Sequence, residues 1–297
     1  MTFRSGGDIS GKRARTGGGR RGGVVAAGGG LGTVVLIGLY LLLGGSPGQL
    51  GGLLGSEEPA NQAGSGPEAG SELEHCQTPE DGNKYDDCRV DFTGVSLDRV
   101  WSEVLPEQAG IDYTEPERVV FEQTTQSGCG AASAATGPFY CPADNTAYFD
   151  TSFFQQLESF GRSSAPLAQM YIVAHEFGHH IQNLEGTLGL SNYDDPGEDS
   201  NAVKIELQAD CYAGIWASHA DKGDDALLES ITKEQVTEAI ETARAVGDDN
   251  IQSRSGGQVD PDSFTHGTSE QRQESFLAGY QSGSMKSCDT LGRGAYK

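Results

Sequence analysis

The chain has 297 residues, a formal net charge of -23 and only 36% hydrophobic residues. A surplus of acid that large repels phosphate backbones and disfavours nucleic-acid binding. The length allows one large domain or two small ones, and much of the glycine falls in the first 70 residues, which do not read as a domain.

Residues 1–23 hold Arg4, Lys12, Arg13, Arg15, Arg20 and Arg21 against one acid, Asp8, and are expected to form a disordered basic arm. Residues 24–43 (VVAAGGGLGTVVLIGLYLLL) carry no charge and are long enough to cross a bilayer as a helix. The arm before them places the N-terminus in the cytoplasm and everything after Leu43 outside. A cleaved signal peptide would have a shorter apolar core and a small-residue cleavage site, and no clear one follows Leu43. The expectation is an uncleaved, single-pass cell-membrane anchor in contact with the lipid bilayer. Residues 44–71, rich in Gly, Ser, Pro and Glu, read as a flexible tether, which leaves 72–297 as the extracytoplasmic domain.

All six cysteines follow the anchor, which suits disulfides in an oxidising space. Proximity favours Cys76–Cys88 and Cys129–Cys141 and leaves Cys211–Cys288. Residues 72–95 look irregular. Ser96 is expected to cap a helix with Leu97, Val100, Trp101 and Val104 on one face. Residues 118–123 suggest a strand, and 138–141 with 147–150 flank a turn-rich segment as a hairpin. A short helix is expected at 151–160. A long helix follows at about 166–184 with Pro166 in its first turn, then a polar loop at 186–199. A second long helix opens at Ser200 or Asn201 and ends near Ala220, and two more are expected at about 232–246 and 269–282. The pattern is α+β, helix-rich with a small β-sheet or hairpin.

His175-Glu176-Phe177-Gly178-His179 is an HExxH inside that first long helix. Side chains four apart share a helical face, so both imidazoles can reach one metal ion. Glu176 beside them can take a proton from a zinc-activated water. A catalytic zinc needs a third protein ligand and an open position. Glu185 stands where one such pattern puts that ligand, but Gln182 replaces the glycine that would turn the chain back. Glu206, in IELQADCYAGIWA, is the better candidate, with Asp210 four residues on and able to hold a ligand histidine by its second nitrogen. His180 points to another face and is assigned a packing or surface role.

AHEFGHHIQ, ELQADCYAGIWA and FTHGTSEQR, with SGCG (127–130), GPFYCP (137–142) and CDT (288–290), resemble the neutral zinc metallopeptidase family of bacteria. The resemblance spans about 85–290 and leaves out the arm and the tether. The HExxH with Glu-x-x-x-Asp is similar to gluzincin-type membrane peptidases. It implies a zincin-like fold, one Zn2+ per chain, and a hydrolase acting on protein or peptide substrates. It also implies that the hairpin with Tyr140, Ala147 and Tyr148 supplies a substrate-aligning edge strand. His266 then assists the oxyanion and Arg272 anchors Asp210. The expected reaction is endopeptidase cleavage with His175, His179 and Glu206 on the metal and Glu176 as general base. The alternative is a non-catalytic zinc-stabilised extracytoplasmic binding module.

Overall fold

The computed structural model describes residues 3–17, 70–133, 136–154, 166–254 and 258–297. The expected anchor at 24–43 and nearly all of the expected tether lie outside the described residues. Among the described residues no helix is long and apolar enough to cross a membrane.

In chain order the elements are β1 (Arg15–Thr16), α1 (Pro79–Lys84), α2 (Asp86–Ala109), β2 (Glu117–Phe121), β3 (Thr124–Ser127), β4 (Gly130–Ser133), β5 (Phe139–Cys141) and β6 (Thr146–Asp150). The helical half follows: α3 (Pro166–Glu185), α4 (Asn201–His219), α5 (Lys233–Ala245), α6 (Asp248–Arg254) and α7 (Ser269–Ser282). The architecture is α+β, as expected. The larger sheet has the order β1-β2-β6-β5, with β1 and β6 parallel to β2 and β5 antiparallel to β6. Every residue of β6 is buried, as befits a strand paired on both sides. A separate hairpin, β3–β4, is tied to β5 by Cys129–Cys141.

The helices start where side chains can satisfy the free N–H groups of a first turn. Ser200 Oγ accepts from the Val203 N–H at 3.2 Å, and Thr232 with Gln235 and Thr268 with Gln271 form capping boxes. The apolar stripes of α2, α3 and α4 meet the sheet's inner face in one core that holds Phe92, Trp101, Phe149, Phe177 and Trp216. Two close backbone approaches fix the helix pairs. A Cβ on Gly178 of α3 would lie 2.9 Å from Ala209 Cα on α4, and one on Gly279 of α7 would lie 1.9 Å from the Cys211 carbonyl oxygen.

Cys76–Cys88, Cys129–Cys141 and Cys211–Cys288 are all formed, the pairing that proximity favoured. Two expectations need correction. The helix assigned to start at Ser96 begins ten residues earlier, at Asp86, and Ser96 lies inside it, accepting from Trp216 Nε1 at 3.1 Å. Its first turns bury Arg89 and Asp91 among apolar residues, which hid the helical period. The sequence also gave no sign of β3–β4 or α6. The basic arm is not a free tail, because residues 3–17 lie on the domain. Phe3 is buried and bridges to Leu228, and β1 extends the sheet.

Candidate functional site

His175 and His179 stand one turn apart on α3 with ring centroids 4.8 Å apart. The Gly178–Ala209 contact presses α4 against this turn and brings Glu206 to both rings. Glu206 Oε2 is 3.2 Å from His175 Nε2, and Oε1 is 3.6 Å from His179 Nε2. Donors about 2 Å from a tetrahedral zinc lie about 3.3 Å from one another. The three side chains thus bring their donor atoms within 4.8 Å of one another, close enough to share one zinc ion.

The second nitrogens of both rings are held. Asp210 Oδ1 is 2.8 Å from His175 Nδ1, and Gln182 Oε1 is 2.9 Å from His179 Nδ1. With each oxygen accepting from Nδ1–H, both Nε2 atoms face Glu206 and are free to give their lone pairs to a metal ion once it displaces any proton there. Asp210 in turn accepts from Arg272 Nε at 2.7 Å and Nη2 at 2.9 Å, and from the Tyr171 hydroxyl. The Gly279 contact seats α7 so that Arg272 reaches this acid. Gln182 also donates to the Ile205 carbonyl at 2.7 Å, which joins the two helices beside the ligands.

Charge points the same way. Glu176, Glu206 and Asp210 are all buried, and Arg272 is the buried arginine among them. The shortfall of two positive charges matches a divalent ion. Without metal, a proton takes part of that place. Burial alone would lower the His175 pKa, but Asp210 and Glu206 push it up to about 10. Burial raises Asp210, and Arg272 and His175 more than reverse this, holding it down at about 2. Burial lifts Glu176 above the usual carboxylate range despite the two nearby imidazoles, which suits a proton acceptor working near neutrality.

The substrate-strand expectation is corrected in part. Ala147 and Tyr148 lie on β6, which is paired on both sides and has no free edge. Tyr148 instead stacks on Phe139 and donates to Asp144 at 2.7 Å. Of the hairpin's two strands it is β5, carrying Tyr140, that ends the sheet on this side. Glu185 is not at the metal position, since it accepts from the Tyr212 hydroxyl at 2.9 Å. His180 is a buried packing histidine, placed by Tyr140 Oη at 3.0 Å and the Thr114 carbonyl at 2.6 Å.

His266 comes from the loop before α7. Its Nδ1 is 3.1 Å from Asp248 Oδ1, while Asp248 Oδ2 accepts from the backbone N–H groups of Thr265, His266 and Gly267. Burial lowers the His266 pKa, but Asp248 and the charge of Glu206 carry it above the usual value. Sequence reasoning missed Asp248, Gln182 and Tyr193. Gln182 had a usable signal, three residues after a ligand on the same helix. Tyr193, in the polar loop, brings its hydroxyl within 3.5 Å of Glu206 Oε1, and nothing in the sequence marks it. Another grouping, His75, Cys76, Asp87 and Cys88, has both sulfurs in a disulfide and is a His–Asp pair at the surface.

The family profile described as "Putative neutral zinc metallopeptidase" matches residues 2–291, so the likeness extends through the arm and not only from residue 85. An uncharacterized protein of Mycobacterium tuberculosis is 45% identical over 228 residues, 75% of this chain and 76% of the relative. An uncharacterized protein of Mycobacterium bovis shows the same values. The uncharacterized YpfJ of Escherichia coli K12 is 39% identical over 213 residues, 68% of this chain and 71% of its own length. No solved structure matches.

Proposed function

Because the chain belongs to this zinc metallopeptidase family, we propose that it is a zinc-dependent endopeptidase. His175, His179 and Glu206 would hold one zinc ion. That ion, when bound, supplies the Lewis acid that polarises the scissile carbonyl and acidifies water at the open position. Glu176 takes the proton of the attacking water and passes it to the leaving amine, which its raised pKa favours. Asp210, Arg272 and Gln182 keep the two imidazoles in one tautomer and orientation. His266, held by Asp248, and the Tyr193 hydroxyl, near Glu206, would donate to the developing oxyanion. An extended peptide would align along β5.

The observation that carries this reading is the approach of Glu206 to both HExxH imidazoles, 31 residues from the first in sequence. Glu176→Gln tests it. The purified variant is expected to keep stoichiometric zinc and lose 10²- to 10⁴-fold in peptide cleavage, the usual share of a general base. Equal cleavage by both forms sinks the proposal, and full zinc with no cleavage by either form favours the binding module.

We place the domain in an oxidising, extracytoplasmic compartment, which is supported by six cysteines all held in disulfides. The apolar stretch 24–43 is proposed to attach the protein to a bilayer.

A further inference from the structure

The arm does more than touch the domain, because the domain is shaped around it. Phe3 packs edge-on against Phe92 with centroids 5.7 Å apart, in space that a Cβ on Gly82 would fill. Asn83 bonds both backbone groups of Phe3, at 2.8 and 3.3 Å. Asp91 is buried and accepts from the backbone N–H groups of Arg13 and Ala14, each at 3.1 Å. Arg118 is fully buried and bonds Asp91, Asp98 and the Gly11 carbonyl. The Arg13 guanidinium reaches Asp98 at 3.0 Å. With the arm removed, two buried carboxylates would face one arginine, and an arginine donor would lose its acceptor.

The two ends of the stretch between also meet. Thr16 N–H donates to the Ser71 carbonyl at 2.9 Å, their hydroxyls are 2.9 Å apart, and Arg15 bridges to Glu72. Residues 15–17 and 70–72, the two ends of the described chain on either side of 18–69, therefore lie side by side on the domain. A single membrane crossing between these residues would put the partners of every one of these contacts on opposite sides. Residues 44–69 offer no second crossing, since Glu57, Glu58 and Glu68 with three prolines leave no apolar run of about 20 residues.

We propose that residues 3–17 and the catalytic domain lie on the same side of the membrane. Arg13 then serves as an internal counter-ion for Asp98 and the arm's backbone N–H groups as donors to Asp91, and not as a cytoplasmic orientation signal. This conclusion does not depend on the peptidase reading.

The native cysteines are all paired, so an introduced thiol is a unique probe. Full-length chains carrying Ser10→Cys in the arm or Ser102→Cys on α2, both exposed positions, would be treated in intact cells with a membrane-impermeant maleimide, taking labelling after lysis as complete. Equal fractional labelling of the two before lysis is expected, whether high or low. At least tenfold less labelling of Ser10→Cys than of Ser102→Cys in intact cells overturns the proposal. As a second measurement, Thr16→Cys with Ser71→Cys should give a disulfide-linked peptide from the membrane fraction after mild oxidation. Its absence, with both thiols free, also overturns it.

Discussion

Two clusters of buried carboxylates in this molecule differ in how their charge is met. Around Arg118, Asp91 and Asp98 are answered by Arg118 and Arg13, and the count closes within the protein. Around His175, the acids Glu176, Glu206 and Asp210 have Arg272. A closed cluster holds a fold together. An open one, with imidazole lone pairs aimed into it, is a place for a cation. Burial and acidity are common to both, and only the balance of charge separates the structural cluster from the functional one.

Glu206→Gln should break the comparison most sharply. It removes one of three ligands, so zinc binding and cleavage should fall below detection. The metal-free fold should survive, because the change relieves a negative excess. Metal analysis together with circular dichroism checks both parts, and a variant that keeps stoichiometric zinc contradicts the open-cluster reading.

Arg118→Met should do the reverse. It leaves Asp91 and Asp98 buried without their main partner, at a cost of about 3–5 kcal/mol. Whatever fraction stays folded should still bind zinc with native affinity. Urea unfolding gives the first number and zinc titration the second.

Asp210→Asn should have a smaller effect, since it weakens the hold on His175 and leaves the ligand in place. Zinc affinity is expected to drop about 10- to 100-fold. Competition with a chelator would show this, and unchanged affinity would make Asp210 a bystander.

The last prediction concerns pH. In the metal-free protein the folded-state pKa of His175 stands at about 10, above an unfolded value of about 6.5. A raised pKa stabilises the fold fully below the unfolded value, and the benefit is lost as pH rises through the folded one. The melting temperature of the metal-free form should therefore decline from about pH 6.5 to about pH 10, while the zinc-loaded form, its proton displaced, shows a flatter profile. Parallel profiles would mean that His175 does not carry that proton.

Much of the site was legible because its parts are helical. A period of 3.6 residues puts His175 with His179 and Glu206 with Asp210 on shared faces before any tertiary contact is known. Arg272 and His266 came from a motif and not from a pattern. Tyr193 was hidden because a loop has no period and Asp248 because it opens a helix of only seven residues, and only the tertiary fold brings the first to Glu206 and the second to His266. The same reason explains the long N-terminal half of α2. Arg89, Asp91 and Asp98 look like solvated positions until Arg118 and the arm close over them. Edge and interior strands were likewise indistinguishable in the hairpin, because pairing partners are remote in sequence.

The meeting of Gly178 with Ala209 sets the gap between two chelating arms by main-chain thickness and not by flexible side chains. An aperture gauged in that way exists before any ion arrives and changes little as side chains rattle. Little ordering entropy remains to be lost on loading, and ions that demand a wider or higher-coordinate cage are poorly served.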